Sequence, residues 1–139
     1  MMKKIYVASR AGVPERVAMW LELRRRGMVI TSSWIDEPYE NVQDLGALWL
    51  KIVEEVQGAD AVLVYAALED FPVRGVLVEA GIALGKGIPV HVVVPGGGLT
   101  GPSLRPLGAW ANHPLVTRYE VLDKALDALG YGDLRESVV

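Results

Sequence analysis

The sequence predicts a single α/β domain with a mostly parallel sheet. Apolar segments of strand length alternate with segments of helical period, which is the pattern of βα units. Two strand segments, 61–65 and 90–94, are continuously apolar and rich in β-branched residues, as expected of strands buried on both faces. A chain of 139 residues can enclose one hydrophobic core but not two. We therefore predict a doubly wound, flavodoxin-like or Rossmann-like sheet of five parallel strands with helices on both faces.

The first half of the chain supplies two of these strands and two helices. The first strand is predicted over 3–8 and the second over 28–31. The helix between them begins at Pro14 and ends before Gly27, because proline suits the first helical turn and glycine the position after the last. The second helix starts near residue 45, and its apolar residues are spaced three and four apart: Leu45, Leu48, Trp49, Ile52, Val53 and Val56.

The second half adds three strands and two helices. The third strand, 61–65, and the fourth, 90–94, enclose a short helix over 75–84. A loop rich in Gly and Pro leads to a short fifth strand at 115–117, and the last helix has an apolar face of Leu122, Ala125, Leu126 and Leu129. Five strands connected in this way most often lie in the order 2-1-3-4-5. A ligand then binds at the carboxyl ends of the strands, beside the switch between strands 1 and 3.

Composition narrows the class of partner. A net charge of −3 gives no electrostatic basis for binding a nucleic acid polymer. The chain has no cysteine and only two histidines, so we expect no metal site and no cofactor. No apolar run is long enough for a membrane span or a signal-peptide core, and we expect a cytoplasmic protein that acts on a small molecule. Residues 1–131 are assigned to one domain, and 132–139 are expected to fray.

One residue does not fit the predicted core. The helix over 75–84 is apolar on all sides except at Glu79, and an all-apolar helix is typical of a buried one. A buried carboxylate must be hydrogen-bonded, paired or protonated to offset its desolvation. Glu79 either points to solvent on an uncovered side of the helix or faces a crevice of low dielectric constant, where it could act as a nucleophile or base.

The segment Asp60–Tyr65, followed by Gly75–Val90, resembles the core of the nucleoside 2-deoxyribosyltransferase superfamily, which includes the 2-deoxynucleoside 5-phosphate N-hydrolases. The shared features are an Asp before the third strand, a glycine-led helix in which Glu is followed by a small residue and Gly, and a Gly-Lys-Gly-Ile-Pro entry to the fourth strand. The first strand is also similar, since it carries Tyr6 and a small-residue loop. The resemblance covers most of residues 3–94.

The resemblance implies that Glu79 attacks C1′ of the sugar while the base departs, giving a covalent glycosyl-enzyme as in retaining glycosidases. Tyr6 would orient this carboxylate, and Asp60 would be a second acidic group. It also implies a homodimer or larger homo-oligomer. Ser9, Arg10 and the backbone N–H groups near Gly75 would contact the sugar or a 5′-phosphate, and Ser103 and Arg105 would reach the site of a neighbouring subunit. Where the phosphate-binding N-hydrolases have a Ser, this chain has Val73, and Arg74 beside it could supply charge. Base transfer and hydrolysis stay open, as does phosphorylation of the substrate.

Other interpretations remain beside this one. Trp34 follows the predicted second strand, where its ring could stack on a nucleobase or serve a core or an interface. Asp60 could be a simple turn residue after Gly58. The fold also suits a catalytically silent nucleotide-binding or signalling module, because fold does not fix function. A third possibility is an assembly subunit in which the Gly-rich segment and the loop of Trp110 only make oligomer contacts.

Overall fold

A computed structural model describes residues 2–37 and 41–134, and parallel strands form one sheet within them. The strands lie in the order β1-β2-β3-β4 and comprise β1 (Ile5–Ser9), β2 (Ala61–Tyr65), β3 (Val90–Val93) and β4 (Val116–Tyr119). The α-helices are α1 (Pro14–Arg25), α2 (Leu45–Gln57), α3 (Arg74–Lys86) and α4 (Leu122–Ala128). Of the tail expected to fray, Gly132–Leu134 forms a 3-10 helix, and 135–139 lie outside the described residues.

The prediction of five strands is wrong, because the second predicted strand is reduced to one bridge. Ile30 forms an isolated parallel bridge with Ile5 of β1, and two backbone hydrogen bonds of 2.8 Å join Ile5 to the residues on either side of Ile30. The ladder then stops. The next backbone donor on this outer side of β1, the N–H of Val7, is taken by the hydroxyl of Ser32 at 2.7 Å. With that donor satisfied by a side chain, the chain leaves the sheet and enters the 3-10 helix Ser33–Asp36.

Helices cover both faces of the sheet, as the sequence predicts. On one face, α2 and α3 bury Leu48, Ile52, Val76 and Ala80 against the even-numbered side chains of β1 and β2. On the other, α1 and α4 bury the opposite side chains of the same strands, with Trp20, Leu23, Ala125 and Leu126. Alternation along each strand therefore separates two cores.

Local signals set the helix ends. Pro14 is the first residue of α1, where its missing N–H costs nothing. The carboxylate of Asp44 accepts a 2.9 Å hydrogen bond from Ala47 N and caps α2. Helix α3 ends at Gly87, whose φ of 78° is the left-handed conformation that glycine adopts most readily. Its first turn follows Val73, a residue with no side chain able to cap N–H groups, so that turn begins without a side-chain cap.

Candidate active site

A cleft of about 210 Å³ opens at the carboxyl end of β1, between α2 and the first turns of α3. This is the edge of a parallel sheet at which the topology predicts ligand binding. Six residues predicted from the sequence line the cleft: Ser9, Arg10, Trp34, Arg74, Gly75 and Glu79. The rest of its wall is mainly apolar and comes from α2, the segment before α3 and the first turn of α3, with Leu48, Trp49, Ile52, Pro72, Val73 and Val76.

Glu79 faces this cleft and the sheet, not the solvent. Its exposed fraction is 7%, and Tyr6 on β1 is fully buried beneath it. The Tyr6 hydroxyl donates a hydrogen bond to Oε2 of Glu79 across 73 residues of sequence. The interpretation in which Glu79 points outward is therefore wrong, because position 79 lies on the side of α3 that packs on β1.

Burial controls the ionisation of this pair. Desolvation raises the pKa of the Glu79 carboxyl from 4.5 to about 7; the hydrogen bond from Tyr6 acts in the opposite direction, and the negative charge of Glu55 adds to the rise. Desolvation and the adjacent Glu79 charge raise the pKa of the Tyr6 phenol far above its ordinary value of 10.0. Tyr6 therefore remains a hydrogen-bond donor, while Glu79 changes its charge close to neutral pH.

The second oxygen of Glu79 borders a gap that exists because residue 75 is glycine. A Cβ placed on Gly75 would lie 3.9 Å from Oε1 of Glu79 and 3.5 Å from the indole ring of Trp49. A side chain at this position would fill the space between the carboxylate and the ring. The gap therefore leaves Oε1 accessible to a group that lies against Trp49.

Two tryptophans form the aromatic walls of the cleft. The indole N–H of Trp34 donates a 2.8 Å hydrogen bond to the carbonyl of Val7, which fixes the ring at the end of β1. Trp49 on α2 forms the facing side, next to Gly75. The sequence predicted Trp34 but not Trp49, which was assigned to the apolar face of its helix. Its position beside Leu48, at the margin of that face, was the available signal.

The mouth of the cleft carries two cations. Arg10 and Arg74 both line it and are exposed. One Nη of Arg10 donates a 3.2 Å hydrogen bond to the backbone carbonyl of Asp70, a neutral group that leaves the guanidinium charge uncompensated. The first turn of the 13-residue helix α3, including Gly75, lines the same region with its N–H groups and the positive end of its dipole. This end of the cleft suits an anion.

Two predicted site residues are not brought to the cleft. Asp60 lies at the amino end of β2, where its carboxylate accepts a 2.7 Å hydrogen bond from Lys4 N, because a residue that precedes a parallel strand lies at the edge opposite the ligand edge. Ser103 is exposed in the loop between β3 and β4 and does not line the cleft of its own chain. Its proposed contact with a neighbouring subunit stays a prediction.

Sequence reasoning missed a buried ion pair behind the cleft. An Nη of Arg16 lies 2.5 Å from Oδ2 of Asp70, and the two side chains are 11% and 4% exposed. Arg16 is in the first turns of α1 and Asp70 is 54 residues away, in the loop after β2. No local spacing reveals such a pair, because only the fold brings the two segments together.

Within residues 2–37 and 41–134, no cluster of His, Asp and Glu side chains has the arrangement of a metal site. No helix in the described part of the chain combines the length and the apolarity that crossing a bilayer requires.

No family model matches the sequence, and no curated protein matches it. Among solved structures, the fold is similar to that of a Clostridium botulinum CMP N-glycosidase, BcmB. The TM-score is 0.55, the sequence identity is 14%, and the match covers 92% of this chain and 98% of the other. This likeness establishes the fold: an α/β arrangement with a parallel sheet, shared with an enzyme that cleaves a nucleotide N-glycosidic bond.

Replacing the buried carboxyl should stabilise the protein at alkaline pH. The folded protein binds the Glu79 proton more tightly than the unfolded chain, so the stabilisation is present below pH 4.5 and is lost as the pH rises through about 7. This rise in pKa corresponds to about 3 kcal/mol at about 1.4 kcal/mol per pH unit. We expect Glu79→Gln to unfold at a higher temperature than wild type at pH 8.5 and at a similar temperature at pH 4.5.

Thermal unfolding at several pH values measures the difference. Glu54→Gln, at an exposed position of α2, is the matched control and should follow the wild-type curve. If the difference in unfolding temperature between Glu79→Gln and wild type does not change with pH, Glu79 titrates normally.

Proposed function

We propose that this protein cleaves the N-glycosidic bond of a nucleoside 5′-monophosphate, with Glu79 as the nucleophile. The observation that carries the proposal is the buried Glu79 carboxyl, held by Tyr6 and open on its other oxygen to the gap beside Trp49. A carboxylate in such surroundings is typical of catalytic sites and is otherwise costly to maintain. The fold shared with a CMP N-glycosidase supports the same class of reaction.

The reaction proceeds in two displacements. An oxygen of Glu79 forms a bond to C1′ as the C1′–N bond breaks, and the base departs with the bonding electron pair and takes a proton from water. A water molecule then attacks C1′, loses its proton and releases the sugar phosphate, which restores the Glu79 carboxylate. If a second base attacks in place of water, the product is a new nucleotide. Both routes retain the configuration at C1′.

Tyr6 prepares the nucleophile. Its hydrogen bond stabilises the ionised form of Glu79 and keeps the pKa lower than burial alone would set it. The bond occupies Oε2, so Oε1 is the oxygen directed at the sugar. A burial-raised pKa also makes the carboxylate more basic, and a more basic oxygen is the better nucleophile once its proton is lost.

The residues that line the cleft suit both the base and the phosphate of a nucleotide. Trp34 and Trp49 offer aromatic faces on which a base can stack. Arg10, Arg74 and the first turn of α3 suit a phosphate group, since they combine two cations with backbone donors. Both groups line the same cleft as Glu79, so one bound nucleotide could meet the aromatic rings, the cations and the carboxyl together.

The first test is base release from a panel of ribonucleosides, deoxyribonucleosides and their 5′-monophosphates, with and without a second free base, followed by chromatography. We expect wild type to release the base from at least one monophosphate. Glu79→Gln should lose at least about a thousandfold in rate, because the amide oxygen cannot form the glycosyl-enzyme. New nucleotide in the presence of the second base would identify transfer, and free sugar phosphate would identify hydrolysis.

Glu54→Gln is again the matched control for this panel. Turnover that survives Glu79→Gln would reject Glu79 as the nucleophile. Binding of monophosphates without turnover by any variant would instead favour the catalytically silent module.

The activity should depend on pH through Glu79. Because the nucleophile must be ionised, we expect kcat/KM to rise with pH to a plateau, with a midpoint near the pKa of about 7. Tyr6→Phe removes the interaction that lowers this pKa, so the midpoint should move to higher pH and the plateau should fall. A rate profile measured from pH 5 to pH 10 for both proteins checks this, and an unshifted Tyr6→Phe midpoint contradicts the assignment.

Phosphate recognition should depend on Arg10. Loss of a charge-assisted hydrogen bond costs about 1.5–3 kcal/mol, so Arg10→Gln should lower kcat/KM for the monophosphate about tenfold to a hundredfold. The kcat/KM for the corresponding nucleoside, which has no phosphate, should change little. Arg118→Gln, on the exposed edge strand β4, is the control and should affect neither substrate. Equal losses on both substrates would place Arg10 outside phosphate recognition.

A further inference from the structure

The ion pair between Arg16 and Asp70 has no part in the chemistry proposed above, yet it lies directly behind the cleft. Two contacts join the side chains: one Nη of Arg16 is 2.5 Å from Oδ2 of Asp70, and the other is 3.5 Å from Oδ1. Both side chains are nearly inaccessible to solvent. The pair connects the start of α1 to the loop between β2 and α3.

The surroundings of the pair fix it to the ends of two neighbouring strands. The guanidinium of Arg16 stacks 4.7 Å from the centre of the Tyr65 ring, and one Nη lies 3.5 Å from the hydroxyl of Ser9. Ser9 and Tyr65 are partners at the carboxyl ends of β1 and β2. The Asp70 carboxylate also accepts a 3.0 Å hydrogen bond from Ala67 N. Every charged group of the pair is therefore held by the sheet or by its own loop.

Stability alone is a weak reason for this arrangement. Desolvating two charges costs about as much as their attraction returns, and apolar side chains of similar size are often at least as stabilising at such sites. A planar guanidinium that meets a carboxylate with two of its nitrogens does, however, fix distance and orientation more narrowly than apolar packing does.

The backbone of Asp70 carries this orientation to the cleft. Its carbonyl accepts the 3.2 Å hydrogen bond from Arg10, and the residues that follow, Pro72 to Arg74, line the cleft. The carboxylate of Asp70 binds Arg16. Arg10 is thus held by a neutral carbonyl, and the neighbouring negative charge is compensated by another residue.

We propose that Arg16 and Asp70 are positioning residues that set the guanidinium of Arg10 for the 5′-phosphate of the substrate and keep the Asp70 charge from binding Arg10 in its place. The inference rests on the proposed function for the identity of the anion. It assigns the ion pair to substrate affinity and to no step of bond cleavage.

The test removes both charges at once. Arg16→Met keeps an apolar chain against Tyr65, and Asp70→Asn keeps an acceptor for Ala67 N, so the double variant leaves no uncompensated buried charge and should fold. We expect KM for the nucleoside 5′-monophosphate to rise about tenfold, with kcat unchanged, because a displaced anion contact weakens binding and not the chemical step. For the unphosphorylated nucleoside, KM and kcat should both stay within about twofold of the wild-type values.

A second comparison shows whether the effect passes through Arg10. In an Arg10→Gln background, the double substitution should have almost no further effect on KM for the monophosphate, because its target is already missing. The exposed pair of Glu22 and Arg25 on the same helix is the matched control. The double variant Glu22→Gln/Arg25→Met should leave KM unchanged for both the monophosphate and the nucleoside. Two results would overturn the proposal. One is a folded Arg16→Met/Asp70→Asn variant with the wild-type KM for the monophosphate, and the other is an equal rise in KM for the monophosphate and the nucleoside.

Binding measured in a Glu79→Gln background separates this proposal from the proposed function. Calorimetric titration with a nucleoside 5′-monophosphate and with its nucleoside needs no turnover. If the preference for the monophosphate disappears with the Arg16–Asp70 pair, the positioning role stands even when no substrate is cleaved. If the preference is the same with and without the pair, the positioning role fails even when the enzyme is active.

Discussion

The hydrogen bond from Tyr6 to Glu79 is the constraint on which the site depends. It joins β1, at one edge of the sheet, to the helix α3 that covers it, and it is a direct contact that helps a carboxyl stay ionised inside a hydrophobic core. The surrounding features follow from that position. Glycine at 75 leaves a gap beside Oε1, the side chains of α2 add an apolar wall, and the buried carboxyl is maintained at a cost in stability.

The sheet gathers groups that are far apart in sequence into one place. Because β1 and β2 are parallel neighbours, the loops after Ser9 and Tyr65 leave the same edge, and the residues of these loops reach the same cleft. A layered arrangement results, in which the acid lies deepest, the tryptophans form the walls and the arginines surround the mouth. One cleft therefore combines a buried carboxyl with exposed cations.

Much of the fold and part of the site could be predicted from the sequence. Buried parallel strands have an unmistakable apolar pattern, and a lone carboxylate on an apolar helix marked Glu79 before any contact was known. The resemblance implies a second acidic group at Asp60, but this residue lies at the amino end of β2, away from the cleft, because it precedes the strand. The ion pair of Arg16 and Asp70 and the wall formed by Trp49 could not be predicted, since tertiary contacts alone create them.

The hydroxyl of Ser32 determines where the chain leaves the sheet after Ile30. By supplying to Val7 the acceptor that a backbone carbonyl would provide, it ends strand pairing after one bridge and releases the chain into a tight turn. That turn brings the ring of Trp34 over the carboxyl end of β1. A continued strand would carry residues 32–34 along the sheet edge and leave the cleft without one wall. Part of a regular sheet edge is thus replaced by one wall of the cleft, and the hydroxyl of a single residue is responsible for the change.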